Sequence, residues 1–241
     1  MRCLTTVLVL CIAVGLGLGS ACSKDSHFEA FEPQIKSMVW VRGWNQPLDS
    51  QGDCRFDRLS ERLTIAIPGT VHVLAVSEGH LNAPCLLRSI TGNFSAQIRV
   101  GGVCPTVGKD TYKQAGLLVT DGTFFVKFLR VEGPEPNEVS TVATPPMCYE
   151  VSEIRGDSFT KYVRNPTPPL DMPVYLRLQR LGPTIALASS RNGKDWDLVE
   201  DSMGRLENLK LQQKVEVGLV AESTGPGEFN PWFENFKLNS Q

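Results

Sequence analysis

From Leu63 to the C-terminus, apolar and polar residues alternate in short runs separated by turn residues. Phe94, Ala96, Ile98 and Val100 alternate with Ser95, Gln97 and Arg99. Val174, Leu176 and Leu178 alternate with Tyr175, Arg177 and Gln179, and Val215, Val217 and Leu219 with Lys214, Glu216 and Gly218. A period of two is that of a strand with one face in a core. Leu63–Ile67 runs into Pro68-Gly69, a turn pair, and Val71–Val76 follows as a further strand. Asp121-Gly122 lies between Ala115–Val119 and Phe124–Val131; Asn192-Gly193 lies between Ile185–Ser190 and Trp196–Val199. Both read as hairpins. A last strand is expected over Trp232–Leu238, and one short helix over Met203–Leu211. Many short strands and little helix predict an all-β, antiparallel two-sheet sandwich.

The chain begins with Met1-Arg2, an apolar run over Leu4–Leu18 and then Gly19, Ser20 and Ala21. One positive charge, a short apolar core and small residues read as an export signal. The run is too short for a membrane span of about 20 residues. The expected organisation is a signal peptide over 1–21, a tether over 22–27 and one domain over 28–241. Basic and acidic side chains, 24 against 26, almost cancel. That balance offers no field for nucleic acid, and no nucleic-acid motif occurs. Oligomeric state is not legible in the sequence.

The N-terminal segment resembles a bacterial lipoprotein signal, in which Cys22 becomes the first mature residue and carries lipid. Membrane attachment then comes only through that lipid, and Ser23 after the cysteine suits outer-membrane sorting by the same resemblance. Ordinary cleavage after Ala21, giving a secreted or periplasmic protein, stays open. With Cys22 lipidated, Cys54, Cys85, Cys104 and Cys148 are the disulfide candidates of an oxidising compartment. Reduced core cysteines are the alternative. The smallest gap between the four is 19 residues, without a Cys-x-x-Cys, so a zinc site built from cysteines is not expected.

Four pieces occur in the order of a known family: Gly92–Val100, Tyr112–Val119, Tyr175–Arg180 with Ser190–Trp196, and Val217–Ser223 with Phe233–Leu238. They resemble the regulation-of-enolase-like family within the concanavalin A-like lectin/glucanase superfamily. The resemblance extends upstream through Gly52–Phe56, Leu63–Pro68 and Asn82–Arg88. It implies a jelly-roll sandwich, often beside carbohydrate-active modules. It supplies no catalytic residues.

No Glu-x-Asp-x-x-Glu pattern occurs, so the paired carboxylates of a retaining glycosidase are missing from any single strand. Glu150 and Glu153 point to opposite faces of a regular strand. Asp121 with Glu222 is the best acid pair left open, by loop placement, and a pair built from separate strands stays open beside it. His27, His72 and His80 show no triad or metal spacing, and His72 reads as a polar residue at a sheet rim. Asp49 and Asp53 flank Gly52 in a loop that fits a structural calcium site or a plain acidic turn.

Tryptophan rings stack on the apolar faces of pyranoses, which makes aromatic residues in loops candidates for sugar binding. Trp44 precedes Asn45-Gln46, and Trp232 follows the glycine- and proline-rich loop over Gly225–Pro231. Both are ligand-binding candidates; Trp40 and Trp196 read as structural. Arg88 and Arg130, with Arg177 and Lys127, are candidates for polar contacts on an outward face. The expected function is an exported, non-catalytic module that binds a polysaccharide, a surface glycan or another cell-surface ligand. A glycoside hydrolase on the same fold and a partner-binding surface lipoprotein are the alternatives.

Overall fold

The structure, a computed structural model, describes residues 44–45, 47–75, 80–102, 112–132, 147–153, 158–163, 172–199 and 205–241, with backbone alone for 132, 147–153 and 158–163. The signal, Cys22, the tether, His27, Trp40 and Cys104 lie outside the described residues, as does the Cys148 side chain.

The strands in chain order are β1 Arg55–Leu59, β2 Arg62–Ala66, β3 Leu74–Ala75, β4 His80–Leu81, β5 Cys85–Thr91, β6 Phe94–Gly101, β7 Lys113–Thr120 and β8 Phe124–Glu132. They continue as β9 Met147–Glu153, β10 Ser158–Val163, β11 Val174–Leu181, β12 Thr184–Ser190, β13 Asp197–Leu198, β14 Arg205–Leu206, β15 Lys214–Ser223 and β16 Trp232–Ser240. An eight-stranded sheet has the order β1-β2-β16-β6-β11-β12-β13, with β14 also beside β12. A six-stranded sheet has the order β10-β9-β8-β7-β15-β5. The chain passes between the two sheets at β5–β6, β6–β7, β10–β11, β14–β15 and β15–β16. Such crossovers make an antiparallel sandwich of the jelly-roll kind. Met203–Leu211 is not a helix where it is described: Arg205–Leu206 is β14, held against Ala186 and Ile185 of β12.

The alternating strands close the core as the sequence predicts. Phe94, Ala96, Ile98 and Val100 are fully buried, and Leu176, Leu178, Ile185 and Leu187 meet them in one cluster with Val217 and Leu219 of the other sheet. Both hairpins form, with Gly122 and Gly193 at φ of 87° and 73°. Those angles suit glycine.

The central strands β7, β8 and β15 of the six-stranded sheet are buried on both faces along most of their length. The outer side chains of this sheet, among them Leu118, Phe125, Leu129 and Val220, form a second cluster with Leu74, Ala83, Cys85 and Leu87. The covering layer includes the β3–β4 pair and Leu48. Two sequence expectations fail on this sheet. Lys127 of β8 faces outward from the core but into this layer, whereas Arg130, three residues on, shares the inner face of Val126 and Phe128; they are 2 % and 1 % exposed. The Lys127 ammonium donates to the Leu74 carbonyl and pairs with Glu222, both at 2.9 Å. The Arg130 guanidinium donates to the Met172 carbonyl.

Candidate functional site

The segment before the Asp49 loop runs beside β5. Asn45 N–H donates to the Leu87 carbonyl at 2.8 Å, and Leu48 and Cys85 exchange two hydrogen bonds of 2.9 Å. The Asn45 amide also donates to Glu216 at 2.7 Å. This pairing places Trp44 beside Arg88, whose guanidinium carbon lies 5.9 Å from the Trp44 ring centroid. Facing them, β16 carries a bulge: its register on β6 shifts between Glu234 and Lys237, and Asn235 has φ of 56°. A bulge re-aims side chains. Here it brings Phe236 against Trp44, with ring centroids 4.4 Å apart and planes at 43°.

Between these elements, where the edges of the two sheets meet, lies a cavity of about 250 Å³. Its wall is Trp44, Phe236, Arg88, Arg58 and Glu61, with Glu234 and Asn235 from the bulge. Its floor is the core itself, including Leu63, Ile98 and Phe233. The size is just below the roughly 300 Å³ at which drug-sized pockets begin, so it suits one small ring. Both Glu234 oxygens are engaged, Oε1 with Arg62 at 2.7 Å and Oε2 with Arg99 at 2.9 Å. Two guanidinium groups thus occupy both oxygens of Glu234. Sequence reading found Trp44 and Arg88. It missed Phe236 and Glu234, whose alternation reads as that of an ordinary strand.

Trp232 lies outside this cavity, on the outer face of the eight-stranded sheet. Its ring rests on the backbone of Gly101 and Gly102; a Cβ at Gly101 would come within 2.4 Å of it. Arg62 lies 4.3 Å and Arg99 5.5 Å from its centroid. Arg177 stacks on Trp196 in the same way, at 4.2 Å. The ring of Trp232 is thus held by its neighbours, and Trp44 alone of the two candidates faces the cavity.

Asp121 and Glu222 do not form an acid pair. Asp121 follows Thr120, which is opposite Glu216 on β15, whereas Glu222 is opposite Gln114. Six residues of strand separate these levels, about 20 Å. Asp121 instead caps its turn, and Glu222 is the buried partner of Lys127. Cys54 and Cys85 are both thiols, and the Cys85 thiol donates to the Ala83 carbonyl.

Asp49 and Asp53 come together with Cys54 and His72, one ligand atom from each lying within 4.8 Å of all the others. His72 is not a rim residue: it is fully buried, its backbone bridged to Ser223 by two hydrogen bonds of 2.8 Å. Burial pushes the Cys54 thiol well above its usual range, and the Asp49 and Asp53 carboxylates add to the shift.

The chain belongs to the family described as "Protein of unknown function (DUF1349)", whose model matches residues 75–241. No curated protein matches it. Among solved structures it is similar to a functionally unknown protein from Saccharomyces cerevisiae, with a TM-score of 0.58 and 16 % identity over 78 % of this chain and 92 % of that one. It is also similar to a xylan beta-1,4-xylosidase from Bacillus halodurans C-125, with a TM-score of 0.51 and 12 % identity over 86 % of this chain and 41 % of that one. A GH43 protein from Bacillus licheniformis gives 0.52 and 15 %, over 87 % and 41 %. The chain spans less than half the length of these two Bacillus proteins. At such identities the likeness is one of fold.

Proposed function

We propose that this family member is an exported, non-catalytic module that binds carbohydrate or another cell-surface ligand, with one sugar ring seated in the cavity beside Trp44. The observation that carries the reading is the pairing of a half-buried tryptophan with charged and amide side chains around a cavity of one-ring size. An aromatic face takes the C–H side of a pyranose. Arg88, Arg58, Glu61 and Asn235 supply donors and acceptors for hydroxyl groups, the arrangement expected of a small-molecule site. The fold itself is neutral on function.

Binding is favoured over hydrolysis by the state of the carboxylates. A glycosidase needs one carboxyl group that can donate a proton and a second that is free to act as base or nucleophile. Glu234 has both oxygens committed to arginines. Export follows from the N-terminal segment, and attachment through lipid on Cys22 is part of the same proposal.

The test is retention of the purified protein on a panel of soluble and insoluble polysaccharides, with reducing sugar measured in the same mixtures. Retention without sugar release is expected, weakened about tenfold, or about 1.4 kcal/mol, by Trp44→Ala and by Arg88→Ala. Sugar release would replace the reading with a hydrolase. Absence of retention on the whole panel would sink the carbohydrate assignment.

A further inference from the structure

We infer that Asp49, Asp53, Cys54 and His72 form a binding site for a zinc-class divalent cation. The site lies apart from the Trp44 cavity and stands independently of the carbohydrate reading.

The donors are brought together by backbone, not by chance contact of surface side chains. Leu48 is fixed to Cys85, and Asp49 follows it directly. The Asp49 carboxylate accepts the Cys54 N–H through Oδ2 at 2.8 Å, closing the loop that turns at Gly52. His72 is anchored to Ser223 at the end of β15. Asn82 clamps the same segment, its amide oxygen accepting from Val73 N–H and its amide nitrogen donating to the Val71 carbonyl.

Two features call for a cation. Asp49 is only 5 % exposed, and its Oδ1 is buried with no hydrogen-bond partner among the described residues. A buried carboxylate oxygen left in that state is costly. The second feature is the imidazole. His72 Nδ1 lies 3.2 Å from the Asn82 carbonyl, which can only accept, so Nδ1 carries a proton. Nε2 then faces Asp53 Oδ1 at 3.2 Å and the Thr70 hydroxyl at 2.9 Å. A nitrogen lone pair and a carboxylate oxygen repel at that distance unless a proton or a metal lies between them. A ring N–H given to a backbone carbonyl, leaving the other nitrogen for a metal, is the usual arrangement of a metal-bound histidine.

Geometry and donor type choose the cation. Tetrahedral zinc, with bonds of about 2.0–2.3 Å, holds its ligand atoms about 3.4–3.6 Å apart. Here Asp53 Oδ1 is 3.2 Å from His72 Nε2, and the Cys54 sulfur is 3.9 Å from that nitrogen and 3.8 Å from Asp53 Oδ1. The sulfur also lies 3.7 Å from Nδ1, so the Cys54 side chain must swing toward Nε2 to close the site. Calcium takes six to eight oxygens at longer range, and a thiolate and an imidazole are poor ligands for it. Sulfur, nitrogen and carboxylate together fit zinc or cobalt(II). On binding, the Cys54 S–H bond breaks, the sulfur binds the cation and the proton passes to solvent.

The experiment adds cobalt(II) to metal-free purified protein and follows the absorption spectrum. Tetrahedral ligand-field bands with thiolate-to-cobalt charge transfer are expected, saturating at one equivalent and displaced by zinc. Cys54→Ser should abolish the charge-transfer band. Asp53→Asn, at a partly exposed position that tolerates change, should weaken affinity at least tenfold while melting normally without metal. Stabilisation by calcium, with no effect of zinc or cobalt, would overturn the assignment in favour of an oxygen site. An unchanged spectrum, with Cys54 alkylated at the same rate with and without zinc, would overturn it in favour of a protonated His72–Asp53 pair.

Discussion

The layer over the six-stranded sheet makes a sharp energetic prediction at Lys127 and Glu222. Their side chains are 2 % and 1 % exposed, and they meet at 2.9 Å. Glu222 Oε1 also accepts the Leu74 N–H at 3.3 Å, and Oε2 accepts from Gln114 at 2.5 Å. Glu222→Gln removes the carboxylate that the buried ammonium meets at 2.9 Å. Lys127→Met leaves a buried carboxylate with two neutral donors. Breaking a buried pair on one side costs about 3–5 kcal/mol, because an uncompensated charge stays behind. For a domain of this size that is about 6–20 °C of melting temperature. The double variant removes both charges yet keeps an acceptor for Leu74, so it should be no less stable than either single variant. Urea titration of all four proteins, compared at constant slope, measures the coupling. If each single change costs under about 1 kcal/mol, the pair behaves as an exposed one. The covering of this sheet by Leu74 and its neighbours would then be wrong.

Two further predictions concern other parts of the sandwich. Gly101→Ala places a methyl group 2.4 Å from the Trp232 ring, so it should cost about 1–3 kcal/mol, shift the tryptophan fluorescence and be nearly neutral in a Trp232→Ala background. Burial pushes the Asp121 carboxyl upward, but hydrogen bonds from Thr123, Gln212 and Phe124 outweigh it and hold the group below its usual range. Its contribution is therefore complete above the unfolded value of about 3.9 and fades as pH falls through the lower folded value. Asp121→Asn should show a smaller loss of stability than the unsubstituted protein across that acid range, measured by urea midpoints at successive pH.

Much of the sandwich was legible because one-sided burial writes itself as alternation. β6 and β11 are each half-covered by the opposite sheet, and their apolar residues fall at every second place. Where that condition fails, so does the reading. In Ala115-Gly-Leu-Leu-Val119, both faces are buried and no alternation survives to say which residue faces which layer. Lys127 follows the outward period correctly, yet outward here means into a second core, and Arg130 falls on the inner face beside Phe128. The short helix expected over Met203–Leu211 fails for a different reason. Its helical spacing is local, while β14 is held by pairing to β12 some twenty residues earlier, a tertiary contact that overrides weak local propensity.

The two candidate sites differ in what a linear reading can recover. Trp44 and Arg88 could be singled out by type and surroundings, but the cavity they share depends on the β16 bulge. Asn235 in a left-handed conformation leaves no stronger trace than one asparagine in a strand. For the four donors of the proposed cation site, spacing gives little: Asp49, Asp53 and Cys54 sit in one loop, and His72 is 18 residues beyond the cysteine. Short zinc motifs are recognisable because one turn or one helix carries paired ligands. Here the convergence is made by Leu48 bridging Cys85 and by His72 bridging Ser223, two contacts that exist only once β5 and β15 have paired. A site assembled in that order has no signature before folding. It follows that metal binding should report on the integrity of the β5–β15 edge, whereas sugar binding at Trp44 should report on the β16 bulge.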